Sequence, residues 1–432
     1  MAKKRRVPTS VTIRSYQVGF GDCFLLSFNY GEEENAPARH VLIDFGSTGK
    51  PPQSSLSMEE IANRIKADCG EKLHAVVATH RHADHISGFG GKPGKIIAGL
   101  KPDLVLQPWT EDPAAAPDAQ EATTASAGGA KGFVAMLDRM HLVSEQIHRE
   151  TASLRGLKTV AEQIGFLGED NLKNLDAIRT LQSMPCKHVY ASYGKPSGLG
   201  PLLPGVTVRV LGPPTLKQSA AIQNQRQEDA SEFWHLQALA LRPPAGRKAE
   251  PARLFPKAAR ASSTAVLPFQ TRWFLPRLDA MRGEQLLEIV RILDKQMNNT
   301  SLILLFEVGG RKLLFPGDAQ IENWLYALTA APDSEEVRGL LAQVDVYKVG
   351  HHGSLNATPK SLWNLFAKRN ETDGPGRLQS LVSTMSGKHG SADRGTEVPR
   401  KKLMDALGRE TTLFNTQKLT KTKPCNVVRI PV

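Results

Sequence analysis

Short apolar runs punctuated by turn residues open the chain. Val11 to Val18 predicts a strand, Gly19-Phe20-Gly21-Asp22 a turn, Cys23 to Tyr30 a second strand, and His40 to Phe45 a third that stops at Gly46. The period then changes: Met58, Ile61 and Ile65 share one face of a helix predicted over Ser57 to Lys66. Leu73 to Thr79 and Leu104 to Gln107 return to short apolar strands. Asp112 to Gly129 is rich in Ala, Pro, Thr and Gly and predicts a loop. Phe133 to Ser183 predicts helix, with Met136, Leu137, Met140, Val143 and Ile147 forming a core-packing stripe.

Strand character resumes at His188 to Tyr193 and Val206 to Leu211. Lys217 to Gln296 reads as a second insertion, irregular through Arg242 to Ser263 and helical through Gly283 to Lys295. Ser301 to Val308, Lys312 to Phe315, Val344 to Val349 and Leu381 to Ser386 predict further strands, with a helix near Ile321 to Ala330. No internal repeat is visible. Strand-rich ends around helical inserts predict an α/β fold, arranged as a four-layer αββα sandwich. The expected organisation is one domain over residues 11–432, with insertions at about 112–183 and 217–296, behind a basic arm at residues 1–10 expected to be disordered.

Charge sharpens this picture. Lys and Arg number 55 against 43 Asp and Glu, a formal net charge of +12, which favours polyanions or small anionic substrates, nucleic acid among them. Lys418 to Lys423 adds a local basic stretch. The cysteines Cys23, Cys69, Cys186 and Cys425 are scattered, with no C-x-x-C pair, so neither a disulfide framework nor a thiolate zinc site is expected, and a cytoplasmic location is the simplest reading. No apolar run is long enough to span a bilayer, so no membrane association is expected.

The densest chemistry is His80-Arg81-His82-Ala83-Asp84-His85, placed where a predicted strand ends. In an extended chain residues two apart face one side, so His80 and His82 can reach one ion together, while Asp84 and His85 in the following turn can reach another. Imidazole and carboxylate ligands suit Zn²⁺, with Mn²⁺ or Fe²⁺ as alternatives. Asp318, after the tight turn of Phe315-Pro316-Gly317, is a carboxylate that could bridge two cations about 4 Å apart. Gly350-His351-His352-Gly353-Ser354 offers adjacent histidines at another strand end, suited to one ligand and one proton-transfer group.

Taken together these patches resemble the metallo-β-lactamase superfamily. They are most similar to the branch containing the hydrolase domain of the DNA-uptake competence protein and the phosphorylcholine esterases. Gln17 to Cys23, Leu42 to Gly46, Thr79 to His85, Val208 to Pro214, Asn299 to Leu302, Phe315 to Asp318 and Lys348 to Ser354 carry the likeness in order. The resemblance implies that His80 and His82 bind one metal, Asp84 and His85 the other, that Asp318 bridges them, and that His352 or His351 completes the site. It implies that Asp44 orients the histidine loop from behind. Between the signature and Asp318, His188 and His235 are the histidines nearest to element ends. Lys348 and Lys388 are candidate contacts to substrate anions, and His389 a candidate site-lining group.

The expected activity is hydrolysis by a metal-activated water on phosphodiester bonds, with Asp84 orienting the nucleophile and His351 protonating the leaving group. Two other readings use the same residues: an ester, thioester or lactam hydrolase of the same fold, and a non-catalytic nucleic-acid or partner-binding protein with a degenerate metal site. The sequence does not fix the oligomeric state.

Overall fold

The computed structural model describes residues 7–31, 37–50, 56–114, 174–219, 297–354, 358–388 and 397–432. Most of the two expected insertions, residues 1–6 of the expected basic arm, and His235 and His389 lie outside these residues.

Two mixed sheets carry the described strands. The first has seven strands in the order β13-β1-β2-β3-β4-β5-β6: β1 Ser10–Tyr16, β2 Cys23–Asn29, β3 Ala38–Phe45, β4 Ala75–Val77, β5 Leu104–Pro108, β6 Lys187–Ala191 and β13 Cys425–Pro431. The second has six in the order β12-β11-β10-β9-β8-β7: β7 Val206–Gly212, β8 Ile303–Val308, β9 Arg311–Phe315, β10 Val346–Lys348, β11 Gln379–Val382 and β12 Thr412–Asn415. In each sheet antiparallel pairing turns parallel part-way: β3, β4, β5 and β6 run parallel in the first, β9, β10, β11 and β12 in the second.

Side-chain alternation along these strands builds a layered molecule. Phe24, Leu26, Val41, Ile43, Ala75 and Val77 of the first sheet share one buried core with Leu304, Phe306, Leu313, Phe315, Val346 and Leu381 of the second. The intervening residues point the other way. Leu25, Leu42 and Val76 pack on helices α1 (Met58–Asp68), α3 (Gly91–Gly99) and α4 (Leu175–Ser183). Ile303, Leu305, Leu314 and Tyr347 pack on α5 (Ile321–Leu325), α6 (Ser334–Ala342), α7 (Lys360–Leu365) and α8 (Lys401–Glu410). The architecture is therefore α/β, with two facing mixed sheets between helices.

Local sequence explains the elements that frame the site. Ser57 caps α1 through a reciprocal pairing with Glu60, and the predicted face buries Ile61 and Ile65. The helix expected over Ile321 to Ala330 is α-helical to Leu325 and then widens to a π-turn over Tyr326–Ala330. Ser10, placed at the end of the expected basic arm, opens β1. No helix among the described residues is long and apolar enough to cross a membrane.

The ends of β3, β4, β9 and β10 open at the same side of the two sheets. Ligand sites in α/β folds lie at the carboxyl ends of parallel strands. Asp44, the histidine signature, Asp318 and His351-His352 follow or finish those four strands.

Candidate metal centre

The signature leaves β4 extended and then turns sharply. His82 has extended φ/ψ angles (−63°, 149°) and heads a single helical turn, α2, over Ala83–Ile86. The extended part puts the His80 and His82 rings 4.7 Å apart, and the turn swings Asp84 and His85 back beneath them. Ligand atoms of His80, His82 and Asp84 lie within 4.8 Å of one another, and those of Asp84, His85, Asp318 and His352 do the same. Asp84 is the carboxylate common to both sets, whereas the resemblance gave the shared role to Asp318. All six side chains are buried.

Glycines make this packing possible. A Cβ on Gly46 would stand 2.4 Å from both the Asp84 carbonyl carbon and the His85 nitrogen, so β3 can approach α2 only without one. Gly317 has φ of +54°, and a Cβ there would press on Thr79 and on Ser301, whose hydroxyl accepts from the Asp318 amide. Asp44, His351 and His352 also take positive φ (56°, 40° and 53°), a region that Asp and His enter more readily than most residues and that clusters at functional sites.

Two of the cluster histidines, His85 and His352, are oriented from behind. Asp44 accepts from the Thr79 amide and hydroxyl at 2.7 Å each, and its Oδ2 lies 2.7 Å from His85 Nδ1. With the His85 proton held on Nδ1, Nε2 is the coordinating nitrogen. His352 Nδ1 faces the Ser383 carbonyl at 2.9 Å, which likewise leaves Nε2 for the cluster. His351 is not in either set: its Nδ1 lies 3.0 Å from Ser354 Oγ, while its amide donates to Asp318 Oδ1 at 3.0 Å. Lys348 is fully buried, pairs with Asp22 and lies 3.4 Å from Asp318 Oδ1. His188 sits elsewhere, its Nε2 3.0 Å from the Met184 carbonyl.

The electrostatics divide the histidines in the metal-free protein. Burial lowers His80 well below its usual range, with His85 and His82 adding to the effect, and burial lowers His82 to about 4. Both are neutral near pH 7 and ready to bind a cation. Burial also acts to lower His85 and His352, but Asp318 and the neighbouring carboxylates outweigh it and raise both. Burial works against the charged forms of Asp84 and Asp318 too. His85 first, then His352 for Asp84 and Lys348 for Asp318, overcome it and hold both carboxyls below their ordinary range. Burial lowers His351.

The donor set fits divalent cations. His80 Nε2, Asp84 Oδ1, His85 Nε2 and Asp318 Oδ2 are buried without a hydrogen-bond partner among the described residues. Buried polar atoms left unpaired carry a free-energy cost that a bound cation would remove. A third convergence, Asp22 with Asp44 and His85, differs because the Lys348 ammonium already sits against Asp22. Asp22 lies in the Gln17 to Cys23 patch that carries the resemblance, but its Gly-Phe-Gly turn gave it no expected role in the site. Glu111, which grips Arg81 Nε from both oxygens at 2.8 and 3.1 Å, is equally silent in the sequence.

No protein-family model matches the chain, and no curated protein matches it.

Proposed function

We propose that the protein is a metallo-β-lactamase-fold hydrolase that holds two divalent cations, Zn²⁺ foremost, and cleaves phosphodiester bonds, those of nucleic acid included. One observation carries the reading: Asp84 and His85 from one sheet and Asp318 and His352 from the other bring their ligand atoms within 4.8 Å of each other. His80, His82 and Asp84 would hold one cation, and Asp84, His85, Asp318 and His352 the second. Such cations supply Lewis acidity and a deprotonated nucleophile at neutral pH. The chain's own groups do the rest. Asp84, shared by both sets, orients the attacking group. Asp44 and the Ser383 carbonyl keep His85 and His352 in the ligating tautomer. Ser354 engages Nδ1 of His351, so Nε2 is the nitrogen that meets the substrate's leaving group. The net charge of +12 supports an anionic substrate.

The test pairs elemental analysis with turnover of bis-p-nitrophenyl phosphate, single-stranded DNA and RNA by protein loaded with Zn²⁺ or Mn²⁺. Near two metal equivalents with phosphodiester cleavage is the expected outcome. Protein without bound metal, or loaded protein inert toward all three substrates, would overturn the proposal. Cleavage of an ester, thioester or lactam instead would keep the site and change the bond.

A further inference from the structure

We propose that Asp22 is a positioning residue that holds the Lys348 ammonium away from Asp318, so that one Asp318 oxygen stays open to a cation. The inference rests on the metal-binding reading above.

The two oxygens of Asp318 have divided duties. Oδ1 faces the protein, accepting from the His351 amide at 3.0 Å and standing 3.4 Å from Lys348 Nζ. Oδ2 faces the cluster, 3.1 Å from His85 Nε2 and 3.8 Å from His352 Nε2, with no hydrogen-bond partner among the described residues. Lys348 is fully buried at the end of β10, where its ammonium also donates to the Gly317 carbonyl at 3.1 Å. A buried ammonium is drawn strongly to any carboxylate within reach. Its closest carboxylate is Asp22, nearer than Asp318.

Asp22 is well anchored for this task. Its amide donates to the Asp84 carbonyl at 2.8 Å and its carbonyl accepts from the Gly46 amide at 3.0 Å. The turn before β2 is thereby pinned to α2 and to the end of β3. Remove the charge of Asp22, and the ammonium's nearest remaining carboxylate is Asp318. The shift turns a metal ligand into a salt-bridge partner and makes the whole cluster less negative. Both effects weaken cation binding in the Asp84, His85, Asp318 and His352 set. The carboxylates that Lys348 faces, Asp22 and Asp318, are not members of the His80, His82 and Asp84 set.

The pair gives a test that a merely structural role would not pass. Zn²⁺ is titrated against a chromogenic chelator into metal-depleted full-length protein. In Asp22→Asn the second equivalent weakens by at least about 10-fold while the first holds. The double variant Asp22→Asn with Lys348→Met has the same net charge as wild type and no competing ammonium, so its second equivalent returns to within about 3-fold of wild type, taking that 10-fold change as the scale. An Asp22→Asn protein that binds like wild type, or a double variant as weak as Asp22→Asn, overturns the proposal. Should Asp22→Asn fail to fold, the double variant decides alone: loss of its second equivalent overturns the proposal. Wild-type protein that binds no Zn²⁺ overturns the metal-binding reading itself, a result distinct from all of these.

Discussion

His352 Nε2 lies 2.8 Å from Asp84 Oδ2, although the two residues stand 268 positions apart in the chain. One follows a strand of the second sheet and the other a strand of the first, so their contact is a direct measure of how the sheets face each other. Asp84 is also the carboxylate common to both ligand sets. Asp84→Asn keeps the side chain's size and removes its charge. It is expected to lower turnover by more than about 100-fold and to reduce bound metal, with the far-ultraviolet circular dichroism of wild type. Elemental analysis beside initial rates checks it; full metal content with full activity would remove Asp84 from the site.

Asp44 acts one step back. Its two oxygens serve Thr79 and His85 at 2.7 Å, and its φ of +56° is one that asparagine also tolerates. Asp44→Asn therefore alters the hydrogen bonding to His85 without forcing the backbone to move. Metal affinity is expected to fall about 10- to 100-fold while the melting temperature of metal-free protein changes little. Competition titration provides the readout, and unchanged affinity would count against an orienting role.

Arg81 and Glu111 form a buried pair with side-chain exposures of 9% and 3%. Glu111→Gln removes the carboxylate charge that faces the buried Arg81 Nε, and is expected to destabilise the fold by about 3 kcal/mol. The double replacement Arg81→Met with Glu111→Leu removes both charges and is expected to lose less than Glu111→Gln alone. Urea unfolding of the three proteins tests the order; a double variant less stable than the single one would contradict it.

Acid sensitivity should arise partly far from the candidate metal centre. Burial, with positively charged neighbours adding to it, pushes His40 and His74 down to about 4 from an ordinary value of 6.5. Both are neutral when folded, and His74 Nδ1 accepts from the His40 amide at 3.0 Å. Between pH 6.5 and about 4 the unfolded chain takes up protons that the folded protein refuses. Their contribution is therefore intact above pH 6.5 and lost as the pH falls toward 4, about 2 kcal/mol for the pair after allowance for solvent screening. His74→Asn, which keeps an acceptor, should shed a measurable part of that slope in denaturant melts across the window. An unchanged slope would assign the acid sensitivity to other groups.

How much of this was legible depended on whether the signal was local. His80 to His85 is compact: alternation in an extended segment followed by one helical turn is a short-range rule, and the structure brings all four candidate ligands of that run together. Asp318 and His352 were legible because each stands beside a glycine at a strand end, and both reach the cluster. Asp22 was not legible as a site residue, because its role depends on Lys348, a partner distant in sequence. Helix α3 hides behind three glycines and a proline, residues that argue against a helix when packing is unseen. Helix α8 buries Leu403 and Leu407 within a polar stretch too basic to suggest a core face. Strand β13 follows the basic stretch of Lys418 to Lys423, and its place was set by β1 rather than by its own pattern.

That last pairing bears on how the chain matures on the ribosome. Strand β1 pairs with β2, its near neighbour in sequence, but its other flank waits for the far more distant β13, which pairs with it from Tyr16↔Cys425 to Ser10↔Pro431. Until β13 is made, the nascent protein carries an unsatisfied row of amides and carbonyls along that flank, the kind of edge on which chains stick to one another. Synthesis interrupted before Cys425 would leave that edge permanently open.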